Sequence, residues 1–186
     1  IDDLMVINRG DHLMLVVNAA CKAGDEAHLR EHLSDSCEVE ALPDRALLAL
    51  QGPKAEAVLA RLAPAVKAMK FMDVADLVLA GSPCIVSRSG YTGEDGFEVS
   101  VPTEDAVRLA ELLLADDLVL PIGLGARDSL RLEAGLCLFG PDLDPATTPV
   151  EAALEWAMQK SRRLEGARHG GFPGADIILD QLENGA

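Results

Sequence analysis

Apolar runs separated by short polar breaks cover most of the chain, and the breaks carry turn-forming residues. The runs "LMVI" and "HLMLVV" flank "NRGD", which predicts a hairpin with Gly10 at its turn and Asn18 closing the second strand. "DEAHLREHLSDS" has helical spacing with a charged outer face, and "CEVEAL" then reads as a short strand. "RALLALQGPKAEAVLARLAP" predicts a strand, a Gly52-Pro53 break and an amphipathic helix ended by Pro64. Further strands follow in "DLVLAGSPCIVSRSG" and "DGFEVSVP", and a helix over "TEDAVRLAELLLADD". "LPIGLGARDSLRLEAG" turns through glycines into another helix. "TTPVEAALEWAMQK" carries a capping box, with Thr148 as N-cap, Pro149 at the first helical position and Glu151 two positions later, and so predicts a helix. Strands and helices interleave while hairpins also occur, so the fold class is α+β with mixed or antiparallel sheets and packed helices.

Composition narrows the partners. The 186 residues are 49% hydrophobic, enough for a proper core, and the formal charge of -15 opposes binding to nucleic acid or to an anionic membrane surface. No apolar run is long enough to span a bilayer, so a soluble protein is expected. Cys21, Cys37, Cys84 and Cys137 are scattered without a CxxC pair, which points to ordinary buried thiols in a reducing compartment. The chain opens inside a strand pattern and without an initiator methionine, the appearance of a piece of something longer.

Candidate chemistry is concentrated in a few stretches. His28-Leu29-Arg30-Glu31-His32 fits the H-x-x-E-H zinc spacing, but the surrounding helix is densely charged and a solvated helix face accounts for it. Gly123-Leu124-Gly125 could open a dinucleotide loop, yet the third glycine position falls on Asp128, whose carboxylate would face a pyrophosphate; a strand-to-helix turn with glycines for close packing is the alternative. Arg127 sits near a helix start, where the macrodipole disfavours a cation, so it needs a carboxylate or a ligand as partner. "GYTGEDGFE" combines three glycines with Glu94, Asp95 and Glu98. It reads either as a tight hairpin with Glu94 and Asp95 at an exposed tip, or as a ligand turn. In the second case a carboxylate grips the planar N–H/NH2 edge of an amino-pyrimidine ring through parallel hydrogen bonds. Of Asp2 and Asp3, adjacent on a strand, at most one faces a given pocket. The "KSRR" loop reads as solvated, with an acidic partner as the alternative.

Taken together, "IDDLMV", "LVVNAA", "ALLALQGP", "GYTGEDGFEVSVP", "GLGARDSLRLEAGLCLFGPDLDPATTPVEAALEW" and "FPGA" resemble, in order and spacing, the glycine cleavage system T-protein (aminomethyltransferase) family over essentially the whole chain. The resemblance implies that family's folate-binding architecture. It also implies aminomethyl transfer from the dihydrolipoyl arm of a lipoylated H-protein to tetrahydrofolate, releasing ammonia and forming 5,10-methylene-tetrahydrofolate. Tetrahydrofolate would be the co-substrate, with no metal. Asp3 would be catalytic, orienting the folate amine and assisting its attack, while Asn18, Tyr91, Glu98 and Arg127 would contact the folate. The implied setting is a monomer in the bacterial cytoplasm or the mitochondrial matrix.

The resemblance further implies that residues 1–42 are the remnant of one subdomain, 43–170 the main folate-binding subdomain, and 171–186 the start of a linker or helix toward a C-terminal barrel domain. A preceding segment and that barrel are expected to be missing, with little activity in the piece. The alternative is a folate-binding module without transferase activity, or a relative such as the C-terminal part of a dimethylglycine or sarcosine dehydrogenase. Asp3 and Glu98 are expected to serve one cavity.

Overall fold

The structure, a computed structural model, describes residues 2–186. They divide into two compact units. One unit comprises the residues up to Leu4, Val17–Asp25 and Cys137–Ala186; the other comprises Met5–Val16 and Glu26–Leu136.

The second unit holds all six strands among the described residues. β1 (Met5–Asn8) and β2 (Leu13–Val16) form the expected hairpin, in register Met5 to Val16, with Gly10 at φ +98° in its turn. β3 (Arg45–Gln51), β4 (Val74–Leu79), β5 (Ser82–Ser87) and β6 (Gly96–Pro102) make an antiparallel sheet in the order β3-β6-β5-β4. Alternation sorts β6 into two faces. Phe97, Val99 and Val101, all fully buried, point toward α2 (Ala55–Leu59) and α3 (Thr103–Leu114). Leu59, Val66, Leu79, Val86 and Leu109 complete that core, each contributing on the order of 1.5–3 kcal/mol by burial. Glu98 and Ser100 point to the other face. α4 (Leu124–Glu133) completes the unit. α1 (Lys22–Leu33) begins in the first unit and runs into the second, and α5 (Ala175–Asn184) closes the first.

Two predicted elements are corrected. "CEVEAL" forms no strand: Cys37–Leu42 is exposed at nearly every position, and an extended segment without a neighbouring ladder cannot satisfy its backbone as a strand. The helix expected after Thr148 does not propagate. Its capping box forms, with the Thr148 N–H donating to Glu151 Oε2 at 2.8 Å and the Glu151 N–H donating to Thr148 Oγ1 at 3.2 Å. Ala153 then adopts φ +55°, which ends the turn and leaves only short 3-10 pieces at Glu155–Ala157 and Lys160–Arg162. The four cysteines are free, but only Cys84 is fully buried and Cys37 is exposed.

Candidate functional site

In the first unit, the segment before the hairpin and the segment after it run side by side, and Asn18 ties their acidic residues together. Its side-chain amide donates to Asp3 Oδ1 and to Asp2 Oδ1, both at 2.7 Å, while its backbone N–H donates to Asp2 Oδ2 at 3.0 Å. The Phe139 N–H adds a bond to Asp3 Oδ1 at 3.3 Å. Asn18 is therefore the organiser of the pair, which is more than the ligand contact expected of it. Burial works against the charged form of Asp2, but the Asn18 donors, with Asp25 and Cys21, outweigh it and hold the carboxyl below the usual range. The Cys21 thiol is pushed up, chiefly by burial and then by the charge of Asp2. Asp2, Cys21 and buried Asp25 bring their ligating atoms within 4.8 Å of one another, a grouping that strand parity and helical spacing did not reveal.

In the second unit, Glu98 is central on the face of the sheet opposite α2 and α3. It lies between Ala49 on β3 and Ser87 on β5, directly opposite both in register. Ser89 Oγ donates to Glu98 Oε2 at 2.7 Å and lies 2.8 Å from Ser87 Oγ. Ser87 and Ser89, with Met72 and Val74, line a cleft of about 190 Å3 whose other wall is β1, Met5 to Asn8. The hairpin is held over this face in part by Arg9, which pairs with Asp76 at 2.5 Å. A larger depression of about 550 Å3 at the end of α1 is lined mainly by the polar Arg30, Ser34, Ser36 and Glu38.

The glycine-rich turn beside Glu98 is shaped by packing. The Gln51 side chain threads between Gly90 and Gly96, where a Cβ on either would overlap it. It donates to the carbonyls of Ser89 at 3.0 Å and Phe97 at 3.3 Å, and its own oxygen accepts from Thr92 at 3.2 Å. Gly93, at φ +76°, would place a Cβ 2.6 Å from Ala134 Cβ just past the end of α4. Asp95 is exposed as expected, but it is not idle: Arg88 holds it with bonds of 2.9 and 2.6 Å and also reaches Glu56 at 2.8 Å. Hydrogen bonds from Arg88 keep the Asp95 carboxyl below the usual range, and donating to Asp95 and Glu56 pushes the Arg88 guanidinium up.

Arg127 has its partner in Tyr91, whose ring centroid lies 4.9 Å from the guanidinium carbon. The attraction is a cation–π contact, where a carboxylate or ligand had been expected. Gly123 and Gly125 have nothing within 4 Å of a built Cβ, so close packing does not explain them. His28 and His32 lie on the exposed outer face of α1. The "KSRR" arginines are engaged with backbone: Arg162 donates to the carbonyl of Gly170 at 3.0 Å, and Arg163 to those of Met158 at 3.1 Å and Glu155 at 2.5 Å.

The structure thus gathers Asp3 with Asn18 in one unit, and Tyr91 with Arg127 in the other, which also carries Glu98 on its sheet. Ser87, Ser89 and Gln51 were missed, although period-two spacing puts Ser87 and Ser89 on one face. No helix among the described residues is long and apolar enough to cross a membrane.

Residues 1–162 match the GCVT N-terminal domain. Over 98% of its length the chain is 48% identical to the mitochondrial aminomethyltransferase of Dictyostelium discoideum, and over 100% it is 49% identical to that of Solanum tuberosum. It covers 48% and 47% of those proteins, so it spans about half the length of the curated relatives it matches. The crystal structure of the glycine cleavage system aminomethyltransferase T from Bartonella henselae matches with a TM-score of 0.86 and 45% identity, over 98% of this chain and 49% of that one.

Proposed function

The chain belongs to the GCVT N-terminal domain family, and from that premise we propose that it carries the tetrahydrofolate-handling part of an aminomethyltransferase of the glycine cleavage system. The co-substrate is tetrahydrofolate and the donor is an aminomethyl group on the dihydrolipoyl sulfur of a lipoylated H-protein. In the reaction two carbon–nitrogen bonds form from the transferred methylene to the two folate amines. The carbon–sulfur and original carbon–nitrogen bonds break; the sulfur leaves as a thiol and the nitrogen as ammonium, taking up the two amine protons.

The observation that carries this reading is a pair of carboxylates held ready by donors: Asp3 by the Asn18 amide and Glu98 by the Ser89 hydroxyl. Glu98 grips the N–H/NH2 edge of the pterin, a neutral donor-rich target suited to an acceptor-only group. Asp3 orients the reacting amine and takes part in moving its proton. Tyr91 and Arg127 act together, the ring backing the guanidinium where it meets the folate. Asn18 acts on the amine through Asp3.

The test is the Asp3→Asn variant, assayed for tetrahydrofolate binding and for 5,10-methylene-tetrahydrofolate formation with aminomethylated H-protein. Affinity is expected to stay within a few-fold while transfer disappears. Undiminished transfer overturns the role of Asp3. Binding without transfer, when these residues are assayed within a protein of the relatives' full length, supports the non-catalytic folate module instead.

A further inference from the structure

The geometry points to Ser89, backed by Ser87, as a positioning residue that sets the orientation in which Glu98 meets the heterocycle; this rests on the folate reading above. Glu98 is half-buried in the middle of a sheet, and its carboxylate could turn about its terminal torsion to present different lone pairs. Ser89 Oγ at 2.7 Å from Oε2 removes that freedom. An ionised carboxylate only accepts, so the single proton of Ser89 goes to Glu98, and Ser89 must then accept from Ser87, 2.8 Å away. The chain of donors runs in one direction, Ser87 to Ser89 to Glu98. Ser87 and Ser89 are 7% and 3% exposed, so water competes poorly for either hydroxyl. Each carboxylate oxygen carries two lone pairs. The Ser89 bond occupies one of those on Oε2 and leaves both oxygens able to receive the two parallel donors of an amino-pyrimidine edge. The 190 Å3 cleft opens against both serines, so the relay borders space a ligand can enter.

Ser89 is itself carried by the glycine turn. Its carbonyl accepts from Gln51, whose side chain occupies the room that Gly90 and Gly96 leave. The turn therefore fixes where the Ser89 hydroxyl sits, and through it which way Glu98 points.

Equilibrium binding of tetrahydrofolate and of its 2-desamino analogue, measured on this chain and its variants, tests the inference. Ser89→Ala is expected to weaken tetrahydrofolate about tenfold, the scale of one hydrogen bond to a charged group, while changing the desamino analogue less than twofold. Ser87→Ala is expected to weaken tetrahydrofolate by a smaller factor, and Ser89→Thr, which keeps the hydroxyl, to restore most of the affinity. Equal losses for both ligands in Ser89→Ala would reveal a structural role only and overturn the assignment, as would no loss for either. If Ser89→Ala does not fold, the Ser87→Ala comparison decides by the same criterion. Glu98→Gln separates the two levels: unchanged tetrahydrofolate binding there, or no saturable binding by the unmodified chain, overturns the folate reading itself. A Glu98→Gln loss without a Ser89→Ala loss overturns only the role of Ser89.

Discussion

At the scale of single residues, polar side chains that were expected to wait for a ligand are already engaged with protein. Asn18 bonds two carboxylates at once. Replacing it by Ala should lower stability by about 1–3 kcal/mol, because two anionic acceptors lose a donor, and urea denaturation will read the change. Asp2 and Asp95 give the pH dependence. Both carboxyls lie below their ordinary value in the folded chain: Asp2 because the Asn18, Asp25 and Cys21 bonds overcome the opposing effect of burial, Asp95 because of Arg88. The stability they add is present above the unfolded-state pKa of about 3.9 and is lost as pH falls through the lower folded values. Urea midpoints should therefore drop steeply below about pH 4, and Asp95→Asn should flatten that drop while lowering the midpoint at neutral pH. Gly93→Ala meets two penalties, a positive φ and a Cβ 2.6 Å from Ala134. A loss of about 2 kcal/mol or more is expected, of which Ala134→Gly should recover the steric part only.

At the scale of elements, local signals held wherever a tertiary partner agreed with them. The capping box at Thr148 forms its two bonds, yet one residue with φ +55° ends the segment. Ala153→Gly should relieve that backbone strain and raise stability by about 0.5–1 kcal/mol, since glycine adopts left-handed angles without the Cβ penalty. A fall in the urea midpoint would contradict this account. Gln51 does for the glycine turn what no residue inside the turn does: it closes the turn from the end of a neighbouring strand. Its pattern as the last residue of "RALLALQ" marked a strand and gave no hint of that use, because the bonds it makes reach Ser89 and Phe97, 38 and 46 positions away.

At the scale of the whole molecule, charge is the property that stands out. Thirty-one acidic residues face sixteen basic ones, and several of the arginines are spent on bonds to backbone carbonyls or on one or two nearby carboxylates. Excess negative charge repels itself in the compact state, and salt screens it over about 10 Å at 0.1 M. The thermal midpoint should rise between 10 and 200 mM sodium chloride, by roughly a few degrees for 1 kcal/mol of relief. A midpoint that fell with salt would show that the ion pairs outweigh the repulsion.

The sequence by itself determined the α+β class, the hairpin at Gly10 and the sheet strands from Arg45 to Pro102, because alternation, helical spacing and glycine turns are local and leave marks in one dimension; the family was legible through the resemblance of whole motifs such as "GYTGEDGFEVSVP". It also drew attention to the carboxylates of the glycine turn, Glu94, Asp95 and Glu98, and the resemblance picked out Glu98 among them. Tertiary structure alone decided which groups serve Glu98 and Asp3. The opposition of Ser87 to Glu98 is a matter of register between strands, and the stacking of Arg127 on Tyr91 joins a helix to a loop 36 positions earlier. Such pairings depend on how separate elements are brought side by side, and no spacing along the chain encodes that distance.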